Sequence, residues 1–140
     1  MFERVYTVND YYDGPRSGVA DYRGHPHHYQ SDWDEQADDY ADTFSLVPAD
    51  PETLELVLEQ WALWRRWEIA FHSGEVTQES HPGQSGQSPR YAEIKVLPKG
   101  RFAAEFHAVR ARGNFRAAEN QPSLPAGVWR ELEVEWTGVG

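Results

Sequence analysis

Residues Asp10 to Asp42 read DYYDGPRSGVADYRGHPHHYQSDWDEQADDYAD, and the alternation of side chains around two glycine-containing turns in this stretch decides the fold class. Gly14-Pro15 marks a loop from Tyr11 to Ser17. Gly18 to Tyr22 and His27 to Trp33 flank Arg23-Gly24, where glycine accepts positive φ without a Cβ clash, so a β-hairpin is predicted. Upstream, Phe2, Tyr6 and Val8 alternate with Glu3, Thr7 and Asn9 at the period of a half-buried strand. Downstream, Asp42 to Pro48 supplies a further short strand, which completes an N-terminal β-meander over residues 2–48.

The segment Asp50-Pro51-Glu52-Thr53 is a helix start: Asp50 caps, Pro51 suits the first helical position, and Glu52 favours the positive end of the helix dipole. The helix is predicted over 51–72, with Gly74 as its stop. A polar loop over 73–88 follows, carrying Pro82, Gly83 and Gly86. Residues 89–97 read two ways, since Ser88-Pro89 favours a helix start while Ala92, Ile94 and Val96 alternate like a strand. Phe102, Ala104, Phe106 and Ala108 alternate cleanly, as do Leu132, Val134 and Trp136 against Glu131, Glu133 and Glu135. C-terminal strands over 102–112 and 129–136 are expected, with Gly113-Asn114 interrupting the first and a Pro-rich connection from Asn120 to Gly127 between them. The 140 residues thus read as one α+β domain, a twisted antiparallel sheet of five or six strands with one long Trp-rich helix packed across it.

Charge is distributed unevenly. Residues 1–60 hold fourteen acids against three arginines, a balance of −11, whereas residues 61–140 are nearly neutral, so the formal −10 is an N-terminal property. Six Trp and seven Tyr supply the bulky apolar groups that a disordered acidic chain lacks. The absence of cysteine removes disulfides, thiolate catalysis and Cys-based zinc sites from consideration. No window approaches the roughly 20 apolar residues of a membrane span, and MFERVYTVND has no basic segment followed by an apolar stretch, so a soluble, cytoplasmic protein is expected. The acidic half should repel phosphate backbones, which disfavours nucleic acid as a partner.

Several side-chain groups are candidates for a site. On the second hairpin strand, His25, His27, Tyr29 and Trp33 fall on one face and His28, Gln30 and Asp32 on the other. His25 and His27, with Asp21 from the facing strand, form a candidate site for a divalent transition metal, weighed against a histidine-rich surface turn. Asp32, Asp34, Glu35, Asp38, Asp39 and Asp42 lack the central glycine of a calcium loop and read as a solvated acidic stretch able to dock a basic partner.

On the helix, Leu54, Val57, Leu58 and Trp61 make an apolar stripe that drifts toward Leu63, Trp64, Trp67, Ala70 and Phe71. Arg65, Glu68 and His72 then take over the direction of Leu54 and Leu58. Glu68 and His72 form a candidate catalytic acid/base pair, the alternative being ordinary surface pairs worth a few tenths of a kcal/mol each. Arg65 and Tyr29, with Asp13 and Arg16 at the first turn, are candidate binding residues. Arg110, Arg112 and Arg116 could neutralise Glu131, Glu133 and Glu135 across neighbouring strands.

Among nucleotide, hydrolase and metalloprotease signatures none is present. The leading expectation is an acidic binding or interaction domain that acts through its Asp/Tyr/His-rich N-terminal face on a basic protein partner. The alternative is a small enzyme or a binder of a small polar ligand or metal, with a pocket between the hairpin and the C-terminal half of the helix.

Overall fold

The computed structural model describes residues 1–78, 81–82, 108–119 and 131–139. Six strands follow in order: β1 (Glu3–Tyr11), β2 (Pro15–Tyr22), β3 (His25–Asp34), β4 (Asp39–Pro48), β5 (Val109–Ala117) and β6 (Leu132–Gly138), with helix α1 (Pro51–His72) between β4 and β5. Each strand pairs antiparallel with the next, and β6 returns to β1, so the sheet closes into a barrel. A mixed α+β chain with an antiparallel sheet and one helix is the architecture. Closure is the addition, and it removes the exposed edges that an open sheet would carry.

The β2–β3 connection is a two-residue turn with Tyr22 paired to His25, and both Arg23 (φ 52°) and Gly24 (φ 79°) take positive φ, as the twist of a tight hairpin requires. At the start of α1, Asp50 Oδ1 accepts the Thr53 backbone N–H at 2.7 Å. Among the described residues the first C-terminal strand runs over Val109–Ala117, and Gly113-Asn114 sits inside it rather than breaking it. The reason is steric. A Cβ on Gly113 would stand 2.7 Å from Trp136 and 3.0 Å from Phe44, so the glycine makes room for rings arriving from β6 and β4. The expected strand portion 102–107, the alternative readings of 89–97, the end of the polar loop and the start of the last strand at 129–130 lie outside the described residues.

Cross-strand partners share a face. The pairings Gly18 with Tyr29, Tyr29 with Leu46, Phe44 with Ala111 and Phe115 with Val134 therefore place one set of side chains inside the ring. Ala20, Tyr29, Phe44, Leu46, Ala111 and Val134 form the buried core, with Val5, Tyr22, Phe115 and Trp136 packed against it. Tyr29, Phe44, Phe115 and Trp136 all meet one another at centroid distances of 5.4–6.1 Å, mostly edge-on or tilted, the arrangement favoured by ring quadrupoles.

On the outer surface, Asp32 ties three strands together by accepting from Thr43 (2.9 Å), Ser45 (3.1 Å) and Arg110 (2.6 Å). Of the three arginines expected to face the acids of the last strand, only Arg116 does so, paired with Glu133. Arg110 turns to Asp32 on the other side of β5.

The seam between β1 and β6 is short. Glu3 pairs with Val134 and Arg4 with Glu133, and past Arg4 the strands part. There α1 lies against the barrel, with Leu58, Trp61 and Arg65 opposite Arg4–Val8 and Glu131–Leu132 around a cleft of about 110 Å³. Three helical positions are buried outright, and Leu63, Trp67, Ala70 and Phe71 are half-buried. Thr53, Val57 and Glu68 are buried with Trp61 and Trp64 partly so, and at 100° per residue these five positions fall within an arc of about 80°.

Candidate functional site

Two hairpins meet at one end of the barrel. The end of the β1–β2 hairpin carries Tyr11, Tyr12 and Asp13, and the end of the β3–β4 hairpin carries Trp33 to Tyr40. Tyr12 lies 6.1 Å from Tyr40 between centroids, and Trp33 stands edge-on to Tyr40 at 5.1 Å. These are surface rings: Tyr11 is 54 %, Tyr12 65 % and Trp33 53 % exposed. Around them stand the exposed carboxylates of Asp10, Asp13, Asp34, Glu35, Asp38, Asp39 and Asp42. None of the seven forms an ion pair among the described residues.

Local backbone chemistry fixes the shape of this end. Asp34 Oδ1 accepts from the N–H groups of Gln36 (3.0 Å) and Ala37 (3.2 Å), closing the turn on itself. Asp13 and Asp38 take positive φ, which aspartate tolerates better than most side chains. Asp10 accepts from Ser17 Oγ at 2.9 Å across the first hairpin.

Arg16 is the cation at the centre. Its guanidinium donates to the backbone carbonyls of Tyr12 (2.6 Å), Asp13 (3.0 Å) and Ala41 (3.5 Å) and to Ser31 Oγ (3.4 Å), and it lies 4.9 Å from the Tyr40 ring centroid. It therefore braces one hairpin against the other. Asp13 and Arg16, paired in sequence as binding residues, do meet, but through the Asp13 carbonyl, which leaves the Asp13 carboxylate facing solvent.

The other sequence candidates fall elsewhere. Tyr29 is fully buried, its hydroxyl donating to the Thr7 carbonyl at 2.9 Å, so it belongs to the core and offers no surface to a ligand. The three proposed metal ligands do not converge. His27 pairs with Ala20 and points inward with it, whereas Asp21, one residue on, points outward and accepts from Tyr6 Oη at 3.0 Å. His27 Nδ1 is engaged by the His25 carbonyl at 2.7 Å. The register set by the two-residue turn is what separates carboxylate from imidazole. Among the described residues no group of three His, Asp or Glu side chains is arranged to hold a metal.

Glu68 and His72 are likewise not joined. Glu68 is 3 % exposed and forms an ion pair with Arg65, and His72 in the last turn is exposed against Phe71. A buried carboxylate gains more from a guanidinium one turn away than from an exposed imidazole. The alternative of ordinary surface pairs does not hold for Glu68 either, because it lies on the buried stripe. Arg65 also lines the cleft beside β1, but none of Asp13, His27, Glu68 or His72 does.

Sequence reasoning missed that Tyr12, Trp33 and Tyr40 join. The signal was present in part: an aromatic beside an acid recurs at Tyr12-Asp13, Trp33-Asp34 and Asp39-Tyr40, each flanking a turn. Among the described residues no helix is long and apolar enough to cross a membrane. The chain matches no protein-family model, and neither the characterised proteins nor the solved structures contain a significant match to it.

Proposed function

We propose that this protein is a binding domain that takes a basic segment of a partner protein on the hairpin end of its barrel. The observation that carries this reading is the contact of the exposed Tyr12 and Trp33 rings with the half-buried Tyr40 ring, within a rim of seven carboxylates that lack ion-pair partners among the described residues. A guanidinium or ammonium group gains from both, since ring faces attract cations and carboxylates accept charge-assisted hydrogen bonds. Arg16 supports the reading as a brace, because a surface held by four hydrogen bonds loses little entropy when a ligand docks. The acidic field of the first sixty residues would also hasten encounter with a basic chain.

The test is binding kinetics of the protein on an immobilised Arg/Lys-rich peptide at two salt concentrations. Association should slow as salt rises, because the Debye length falls from about 10 Å at 0.1 M to about 3 Å at 1 M. Replacing Asp34, Asp38 and Asp39 together by Asn should slow association more than it hastens dissociation, and Trp33→Ala should chiefly hasten dissociation. A salt-independent rate that neither variant changes would overturn the reading.

A further inference from the structure

We infer that the cleft between α1 and β1 is a second, separate binding site, for a small carboxylate that carries an apolar group. The cleft opens where β1 and β6 part, and its volume is about 110 Å³. Space of that order accepts a single small ring or short alkyl chain, as an engineered cavity of about 150 Å³ accepts benzene. Leu58, Trp61 and Leu132 supply apolar surface for such a group. Trp61 is held by Trp64, whose ring lies 5.1 Å away and only 35° from parallel, so the indole does not have to be ordered when a ligand arrives.

The polar side of the ligand is chosen by the two guanidinium groups on the lining. Arg65 is already neutralised by Glu68, on the same helix and itself buried. Arg4 is not: its guanidinium lies 4.3 Å from the Tyr6 ring centroid and has no carboxylate within ion-pair distance among the described residues. Arg16 and Arg23 likewise lie against rings rather than acids, but of the three arginines in residues 1–60 Arg4 alone lines the cleft. A monocarboxylate with its apolar end against Trp61 and its carboxylate on Arg4 satisfies each of these groups.

Phenylacetate and its uncharged analogue phenylacetamide are the probes, titrated into isotope-labelled protein and followed by backbone and indole N–H resonances. Phenylacetate should shift Val5 to Val8, Leu58 and the Trp61 indole in a saturable way, and phenylacetamide should bind at least about fivefold more weakly, the cost of losing one charge-assisted contact. Arg4→Gln should weaken phenylacetate by a similar factor and leave phenylacetamide unchanged, with resonances outside the cleft reporting an intact fold. Equal binding of the two probes, shifts centred on the Trp33 indole instead, or no saturable shift at all would each overturn the proposal. None of these outcomes touches the hairpin end, whose peptide binding is measured separately.

Discussion

Tyr29 Oη donates to the Thr7 carbonyl oxygen at 2.9 Å, joining β3 to β1 across Gly18 of the strand between them. Gly18 can have no side chain there, since a Cβ would overlap the Thr7 carbonyl and come within 2.6 Å of the Tyr29 hydroxyl. Gly18→Ala is therefore expected to destabilise by on the order of 3 kcal/mol, through overpacking against backbone that cannot yield. Tyr29→Phe should cost less, about 1–2 kcal/mol, for one buried hydrogen bond. Urea denaturation of both variants decides the matter, and a smaller loss for Gly18→Ala than for Tyr29→Phe would contradict the packing described.

The Arg65–Glu68 pair makes a different prediction. Glu68→Gln leaves a guanidinium only 15 % exposed without its counter-charge, which should cost about 3 kcal/mol. Replacing both partners, Arg65→Met with Glu68→Leu, should return stability to within about 1 kcal/mol of the original, because two apolar groups need no compensation. Denaturant midpoints of the single and double variants check this. A double variant as unstable as the single one would show that Glu68 acts through partners other than Arg65.

Burial on the outer face of β3 sets a pH dependence. His28 stands between Val19 and Val47 in the sheet, and desolvation pushes its imidazole down from 6.5 to about 4. The unfolded chain therefore binds a proton between these values that the folded one does not. His28 contributes no pH-dependent loss above about pH 6.5, and stability falls as pH drops from there to about 4, by on the order of 3 kcal/mol from this residue. Urea denaturation at pH 7.5 and 4.5 should show this loss in the original protein and a smaller one in His28→Gln.

The tight turn offers a stabilising change. Arg23 holds φ at 52°, a conformation that asparagine adopts at lower cost in two-residue hairpins. Arg23→Asn should raise stability by about 0.5 kcal/mol, net of the arginine's position 5.3 Å from the Tyr22 ring. Thermal unfolding measures it, and a lower midpoint would mean that the cation and ring contact outweighs the backbone strain.

Features written in a few adjacent residues were legible before the structure. Asp50-Pro51 starts the helix because cap and ring act within one turn, and Arg23-Gly24 turns the chain because φ is a local property. Features decided by distant partners were not. Nothing near Glu3 or Val134 announces that they pair and close the ring. Gly113 reads as a strand breaker until rings from Phe44 and Trp136 occupy its missing Cβ. From polarity alone Glu68 reads either as a catalytic candidate or as a member of a surface pair, whereas its place on the stripe through Val57 and Trp64 buries it and Arg65 makes that tolerable. At the hairpin end each aromatic was visible singly, but the register that joins Tyr12, Trp33 and Tyr40 depends on two turns of different length folding to the same height.

The short seam between β1 and β6 has a consequence for how the chain is made. The ring cannot close until β6 has left the ribosome, so β1 waits through the synthesis of four further strands and a helix with one edge unpaired. During that interval the edge is open to any extended chain nearby, a neighbouring nascent copy included. The strands already emerged by then hold most of the protein's negative charge, and two such copies repel each other at the distances where mispairing would begin.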